Sequence, residues 1–212
     1  IGRPEQYITV RSGMETGPFL TPAPGEDRHA VRAELGIPES DFVVGTVARL
    51  AQHKGHDDLL DAMAEPMRTH PDIRLLWIGD GWWRDRLLAR VAELGLEGRV
   101  TTTGLVPQSR VPAMMRAMDV LAHPSSREGL PRTVPQALLA GVCPVAYDVD
   151  GTREACIDGE TGRLVPHGDV PALRDAILWC RDNPRDRLAL AVEGRDRCSI
   201  EFDCGAMVTH LE

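Results

Sequence analysis

The chain has 212 residues and a formal net charge of −8, and 42% of its residues are hydrophobic. This length and composition suit one sizeable domain with a substantial core. The acidic balance argues against nucleic acid as a partner, because binding to a phosphate backbone favours a basic face. No stretch approaches the roughly 18 uninterrupted apolar residues of a membrane helix, and no signal peptide is visible near the amino terminus.

The five cysteines are odd in number and form no CxxC pair. This usage indicates unpaired thiols in a reducing compartment rather than a disulfide framework. We therefore expect a cytoplasmic location. The cysteines are Cys143, Cys156, Cys180, Cys198 and Cys204.

Strand-like and helix-like runs alternate along the chain from residue 42 onwards. Before them, residues 1–40 are rich in Pro, Gly and charge, with a strand-like run at 7–10 and a helical patch at 28–35. The predicted strands span 42–48, 73–78, 100–103, 120–122, 142–147 and 163–165. The predicted helices span 56–69, 83–94, 110–117, 132–140, 152–157, 170–182 and 184–199. This alternation predicts an α/β fold, a Rossmann-like doubly wound parallel sheet of about six strands with helices on both faces.

Two cations follow the first strand of this predicted sheet. In such sheets ligands bind outside the carboxyl ends of the strands. Arg49 and Lys54 lie there, five positions apart. Together they can hold a diphosphate, since Arg offers a planar fork of donors and Lys a mobile point charge. The spacing alone leaves open that both are ordinary surface cations.

A carboxylate and a helix start follow the fourth strand. Glu128 lies at the mouth of the predicted helix 132–140, where it can accept hydrogen bonds from sugar hydroxyls. The amides of Gly129, Leu130 and Arg132 can donate to phosphate, because a helix start gathers unpaired N–H groups and the positive end of the dipole. The alternative is that Glu128 caps the helix or pairs with a surface cation.

Two prolines and a glutamine belong to the same segment. Pro131 is predicted at the first helical position, which proline suits. Pro135 removes a backbone donor just inside the helix and is expected to bend it slightly. Gln136 follows Glu128 by about two helical turns and offers a second polar side chain.

The remaining strand ends carry weaker signals. The GDG run at 79–81 is not a GxGxxG fingerprint, because Arg84 occupies the position of the last glycine. A tight strand-to-helix turn is the simpler interpretation. The turn at 104–107 offers a backbone that can face a planar base, and a plain connecting turn fits the same residues.

Two motif-like runs point to chemistry that the sequence does not otherwise support. Asp148 and Asp150 imitate a DxD metal motif, but no third ligand accompanies them, and we predict no metal site. Ser125 lies near His123, yet the G-x-S-x-G elbow of hydrolases is missing.

The ordered set of motifs resembles the carboxy-terminal domain of retaining glycosyltransferases of family 4, which have the two-domain GT-B fold. The likeness runs from about residue 8 to residue 182. The motifs are GTVARL at 45–50, KG at 54–55, IGDG at 78–81, GLV at 104–106, PS at 124–125, EGLP at 128–131, AGVCPV at 140–145 and DGETGRLV at 158–165. The resemblance implies a nucleotide-diphosphate-sugar donor at the strand ends, with no cofactor and no obligatory metal.

The resemblance also assigns roles to individual residues. The predicted catalytic residues are two cations that would hold the leaving diphosphate and one carboxylate that would contact the donor sugar, namely Arg49, Lys54 and Glu128. The predicted donor-binding residues are Val106, whose backbone would lie against the base, and Gly129, Leu130, Arg132 and Gln136.

By the same likeness, residues 1–40 are an arm and the start of the domain after an interdomain hinge, 41–199 are the nucleotide-sugar-binding domain, and 200–212 are a tail. The stretch before residue 41 is too short to form the amino-terminal acceptor domain. We therefore expect a fragment that binds donor weakly and transfers sugar poorly or not at all. Its acceptor (a glycan, a lipid or a small molecule) and any peripheral membrane contact would involve the missing domain.

Gln136 departs from the family pattern, a pair of glutamates with seven residues between them, the second of which bonds the ribose hydroxyls. An amide can still accept from one hydroxyl and donate to the other, at a loss of about 1 kcal/mol or somewhat more. We predict that ribose binding is retained. Two alternatives stay open: a non-catalytic nucleotide-sugar-binding or regulatory domain, and another Rossmann-like nucleotide enzyme such as an epimerase.

Overall fold

The computed structural model describes residue 3 and residues 12–211, except for the side chain of His210. The predicted strand at 7–10 lies outside the described residues. Among the described residues, no helix combines the length and the apolar character that crossing a membrane requires.

Within residues 12–211, six parallel strands form the central sheet, as the alternating pattern predicts. Their order is β3-β2-β1-β4-β5-β6, and every neighbouring pair is parallel. The strands are β1 (Phe42–Val47), β2 (Ile73–Ile78), β3 (Val100–Thr102), β4 (Val120–His123), β5 (Cys143–Tyr147) and β6 (Arg163–Val165). The order reverses between β1 and β4, and in such sheets ligands bind in the crevice at that point.

Helices cover both faces of the sheet, which confirms the doubly wound α/β prediction. They are α1 (Gly17–Leu20), α2 (Arg28–Glu34), α3 (His56–Thr69), α4 (Arg84–Glu93), α5 (Val111–Arg116), α6 (Thr133–Leu139), α7 (Val170–Asp182), α8 (Pro184–Glu201) and α9 (Cys204–Leu211). Short 3-10 helices occur at Gln52–Lys54, Glu97–Arg99, Gln108–Arg110 and Asp150–Glu154.

The sheet separates two hydrophobic clusters. Successive strand residues point to opposite faces, so Val44 packs in the first cluster with α3, α4 and α7, whereas Val43 packs in the second with α1, α2, α5 and α6. β1, β2, β4 and β5 are buried along almost their whole length. A sheet covered on both faces requires such continuous apolar strands.

Residues at both ends of the described chain join the second cluster. Phe19 and Val31 lie in it from the amino-terminal side, and Phe202 lies in it from the carboxy-terminal side. The segment after Phe202 forms α9. The division of the chain at residues 40 and 199, with an interdomain hinge before it, stays a prediction.

The predicted helix at 152–157 is wrong. The structure has a 3-10 helix at Asp150–Glu154 instead. Asp150 has a φ of 43°, and the Gly151 amide donates to the Gly129 carbonyl oxygen at 2.9 Å. The loop after β5 bends sharply because it forms a hydrogen bond with the loop after β4. Its backbone therefore does not form a regular α-helix.

The helix after β4 also differs at its start. α6 begins at Thr133, and Pro131 precedes its N-cap residue Arg132 rather than taking the first helical position. Pro135 lies in the first turn of α6. An amide at that position has no intrahelical partner in any helix, so proline there removes no helical hydrogen bond, and the predicted bend has no physical cause.

Candidate functional site

The loops after β1 and β4 are docked against each other at the carboxyl ends of the strands. The carbonyl oxygen of His53 accepts from the Ser126 amide at 2.9 Å and from the Ser125 hydroxyl at 3.0 Å. Gly55 has a φ of 70°, and a Cβ atom there would lie 1.9 Å from the Pro124 carbonyl oxygen. Only glycine fits such a close approach in the left-handed region, so Gly55 lets the two loops meet.

This docking brings two of the predicted catalytic residues together. The Lys54 Nζ atom lies 2.5 Å from Glu128 Oε1, and both side chains are largely buried, with exposures of 19% and 14%. Glu128 therefore pairs with a cation, as one of the open alternatives stated, but inside the crevice rather than on the surface. Lys54 is the single lysine among 24 basic residues in the sequence.

A buried histidine completes this cluster. His123 ends β4, and its Nε2 atom lies 3.3 Å from the same Oε1 atom of Glu128. Burial raises the pKa of Glu128, but the hydrogen bond from Lys54 and the polar side chains of His123 and Ser125 nearby outweigh that effect and lower its pKa to about 2. Glu128 is an anion at neutral pH and cannot serve there as a proton donor.

The Glu128 loop is held in place from the loop after β5. The Glu128 amide donates to Asp150 Oδ2 at 2.8 Å, and a Cβ atom on Gly151 would lie 2.3 Å from the Gly129 carbonyl oxygen. The other half of the DxD run, Asp148, pairs with Arg153 at 2.8 Å. Both carboxylates of that run thus have structural partners, and no group of three His, Cys, Asp or Glu side chains among the described residues could hold a metal ion.

A cavity of about 670 Å³ opens beside α6. Two predicted donor-binding residues line it, namely Arg132 and Gln136. Its remaining wall is formed by Met14, Glu15, Pro18, Phe19, Val47, Gln108, Ser109, Val111 and Pro112. Pockets for small organic ligands commonly enclose about 300–1,000 Å³. The cavity therefore has room for a nucleoside.

The other predicted site residues are more dispersed. Arg49 is exposed, and its guanidinium lies 5.5 Å from the centre of the Trp82 ring. It borders a separate cleft of about 430 Å³ together with Leu105. Val106 and Leu130 are half-buried and pack against the second hydrophobic cluster. Gly129 is exposed, between Glu128 and the start of α6.

Sequence reasoning missed the parts played by two residues. His123 was weighed only as part of a hydrolase and Asp150 only as a metal ligand, yet both contact Glu128. The one signal in the sequence was their position after neighbouring strands: His123 directly follows the predicted strand 120–122, and Asp150 lies three residues after the predicted strand 142–147. Met14 and Phe19 lie within the family resemblance, in the segment expected just past the interdomain hinge, but that likeness gives them no part in the cavity that they line.

The chain is similar in sequence to a known family and to individual relatives. The sequence model of the family described as "Glycosyl transferases group 1" matches residues 27–197. The chain is 34% identical over 187 residues to a 2-deoxystreptamine glucosyltransferase of Streptomyces kanamyceticus, covering 86% of this chain and 48% of the relative. It is 32% identical over 217 aligned positions to a D-inositol 3-phosphate glycosyltransferase of Corynebacterium aurimucosum, covering 99% of this chain and 51% of that relative. The chain thus spans about half the length of these curated relatives.

Two solved structures resemble the fold closely. Anabaena Alr3699/HepE in complex with UDP superimposes with a TM-score of 0.89 at 27% identity, over 99% of this chain and 57% of that one. The same Anabaena protein has been solved with UDP-glucose. The carboxy-terminal domain of the group 1 family protein LpcC from Francisella tularensis matches with a TM-score of 0.80 at 21% identity, over 91% of this chain and the whole of that one. At that identity the second likeness shows the fold alone.

Proposed function

The chain belongs to the glycosyl transferases group 1 family and has the fold of a GT-B carboxy-terminal domain, and on that premise we propose that it is the donor-binding domain of a retaining, family 4 glycosyltransferase. The reaction would move a sugar from a nucleotide-diphosphate sugar to an acceptor. The observation that carries the proposal is the ion pair between Lys54 and Glu128 at the carboxyl ends of the strands. Glu128 lies in the loop that leads into α6, and the cavity of about 670 Å³ lies beside that helix.

The charges of the cluster fit this chemistry. Glycosyl transfer from such a donor builds negative charge on the departing diphosphate, and fixed cations that face this charge lower the barrier. Lys54 and Arg49 are the cations proposed for that role. Glu128 stays ionised at neutral pH and can accept hydrogen bonds from donor sugar hydroxyls, while the amides of Gly129, Leu130 and Arg132 would position sugar and phosphate.

The nucleoside is proposed to occupy the cavity beside α6. Gln136 lines it and would bond the ribose. The backbone at Val106 is proposed to lie against the base. UDP is the first nucleotide to test, because Alr3699/HepE has been solved with UDP and with UDP-glucose. No metal is assigned a role, since Asp148 and Asp150 are engaged by Arg153 and by the Glu128 amide.

The acceptor belongs to the rest of the longer protein in this proposal. The chain alone would bind donor and transfer little or no sugar, and a cytoplasmic location with membrane contact through the missing part belongs to the same proposal. The retaining outcome is tested by comparing the anomeric configuration of donor and product by NMR, using the full-length protein. Inversion of the anomeric centre would contradict it.

The second candidate is a non-catalytic nucleotide-sugar-binding domain. Gln136 favours it, because a neutral amide replaces the second glutamate of the family pattern. Full-length protein that binds donor but releases no product with any acceptor, and gains no activity from Gln136→Glu, would support this second candidate over the first.

The deciding experiment for the donor site is calorimetric titration of the chain with UDP, GDP and ADP. We expect saturable binding of one nucleotide, weakened in Arg49→Ala and unchanged in Arg174→Ala, a partly exposed cation on α7 that pairs with Asp175. The intact nucleotide sugar should bind more tightly than the bare nucleotide, and Glu128→Ala should erase that difference. If none of the three nucleotides or their sugar conjugates binds, the proposed function fails for this chain.

A further inference from the structure

Both ring nitrogens of His123 lie close to a side-chain oxygen. Its Nε2 atom lies 3.3 Å from Glu128 Oε1, and its Nδ1 atom lies 3.4 Å from the Thr133 hydroxyl oxygen. The residue is only 5% exposed. Nε2 has no hydrogen-bond partner among the described residues and lies within ion-pair distance of the carboxylate. An imidazolium ring in this place would donate its Nδ1–H to the hydroxyl and carry its charge beside Glu128, so the site accommodates the doubly protonated ring.

Lys54 and His123 approach the same carboxylate oxygen. Glu128 Oε1 is 2.5 Å from Lys54 Nζ and 3.3 Å from His123 Nε2. While Lys54 remains there, the charge of Glu128 is balanced. When Lys54 turns to a diphosphate, as the proposed function requires, Glu128 becomes a largely buried anion without its counter-charge. Losing one partner of a buried ion pair is costly, and His123 is the basic side chain that remains on that oxygen.

We propose that His123 takes up a proton from solvent when a bound diphosphate draws Lys54 away from Glu128. The proton binds the ring nitrogen that lacks one, and the resulting cation holds Glu128 ionised and oriented toward the sugar. This inference rests on the proposed function. His123 acts through Glu128 and is therefore a positioning residue.

Few charged groups in the described part of the chain face the ring of His123. Lys54 approaches from the 3-10 helix after β1, and Glu128 approaches from the loop after β4. Behind the Glu128 backbone, Asp150 comes from the loop after β5 and accepts the Glu128 amide. Thr133 on α6 contributes a neutral hydroxyl. The change in charge at His123 therefore depends mainly on whether Lys54 occupies Glu128.

The first test needs no nucleotide. The pH titration of the His123 imidazole is followed by NMR in the unsubstituted chain and in Lys54→Met, with the resonance assigned from its loss in His123→Asn. We expect the titration of His123 to move to higher pH in Lys54→Met, because an unshared carboxylate favours the charged ring.

Lys54→Met also removes the direct repulsion between Lys54 and a charged His123 ring, and this alone would move the titration of His123 to higher pH. Glu128→Gln and the double variant Lys54→Met/Glu128→Gln separate the two causes, since repulsion acts in both backgrounds and competition for Oε1 acts only where Glu128 is present. Equal shifts in the two backgrounds, or no shift, would overturn the proposal.

The second test measures proton uptake during binding. UDP-glucose is titrated calorimetrically at pH 7.5 in two buffers of different ionisation enthalpy; its phosphates carry no group that titrates near that pH. We expect net uptake of a fraction of a proton, lost in His123→Asn and kept in Arg174→Ala. Binding without uptake overturns the role of His123 and leaves the proposed function standing. Failure of UDP-, GDP- and ADP-linked sugars to bind removes the proposed function, and this inference with it.

Discussion

Lys54 and Glu128 are 74 residues apart in the chain and form an ion pair of 2.5 Å at the carboxyl end of the sheet. Lys54 closes the 3-10 helix after β1, and Glu128 stands in the loop after β4. These two strands are neighbours at the point where the strand order reverses. The pair therefore places a cation and an anion in the crevice where ligands of such sheets bind.

Removing the single lysine should weaken nucleotide binding. We expect Lys54→Met to raise the Kd for UDP about ten- to a hundredfold, because a hydrogen bond to a charged group contributes about 1.5–3 kcal/mol. Calorimetry measures the change. Arg174→Met removes a cation of similar length from α7 and should leave the Kd unaltered. Affinity within twofold of the unsubstituted chain would show that Lys54 stays on Glu128 when nucleotide binds.

A carboxylate at position 136 should strengthen ribose binding. Gln136 is half-buried and lines the cavity beside α6. Gln136→Glu should lower the Kd for UDP about fivefold, which corresponds to about 1 kcal/mol for the stronger acceptor. Gln108→Glu adds the same charge to the cavity from another wall and serves as the control. Equal effects of the two substitutions would mean that Gln136 does not contact the ribose.

The lowered pKa of Glu128 makes the free energy of unfolding depend on pH in the acidic range. The folded state lowers it from 4.5 to about 2, so its ionised form stabilises the fold at every pH above 4.5. That contribution is lost as the pH falls from about 4.5 to about 2. Denaturant unfolding from pH 7 to pH 2 should show that Glu128→Gln is destabilised at neutral pH by at most about 3 kcal/mol. The difference between the two proteins should vanish near pH 2, and a constant difference would contradict this.

A side chain at position 151 should lower the free energy of unfolding. A Cβ atom there would lie 2.3 Å from the Gly129 carbonyl oxygen, a contact that requires the Glu128 loop to move. We expect Gly151→Ala to lower the free energy of unfolding by about 1–3 kcal/mol and to weaken nucleotide-sugar binding. At Gly98 a Cβ atom would meet nothing within 4 Å, so Gly98→Ala should change stability by less than about 0.5 kcal/mol. Thermal unfolding of the two variants provides the comparison, and equal melting temperatures would refute the prediction.

Strands and long helices were the most predictable parts of the molecule. The predicted bounds of β2, β6, α3 and α7 agree with the structure, because an apolar period and a clear start or end mark each of them. The predictions fail where the backbone conformation is set by hydrogen bonds to a neighbouring loop. The Asp150–Glu154 turn follows from a hydrogen bond between Gly151 and Gly129, which no local pattern reveals.

The alternation of strand-like and helix-like runs was enough to specify an α/β sheet and the edge of that sheet at which a site should lie, and the residues at the strand ends gave residue types for a phosphate and a sugar. These are local properties, since each follows from a run of neighbouring residues and from the direction of parallel strands. Three relationships are visible only in the tertiary structure. Lys54 pairs with Glu128, and His123 lies close to the same carboxylate oxygen. Arg49 is exposed and lies beside Trp82. They depend on how loops from different strands pack together, and that packing is set by burial and close contact across long separations rather than by any pattern within one segment.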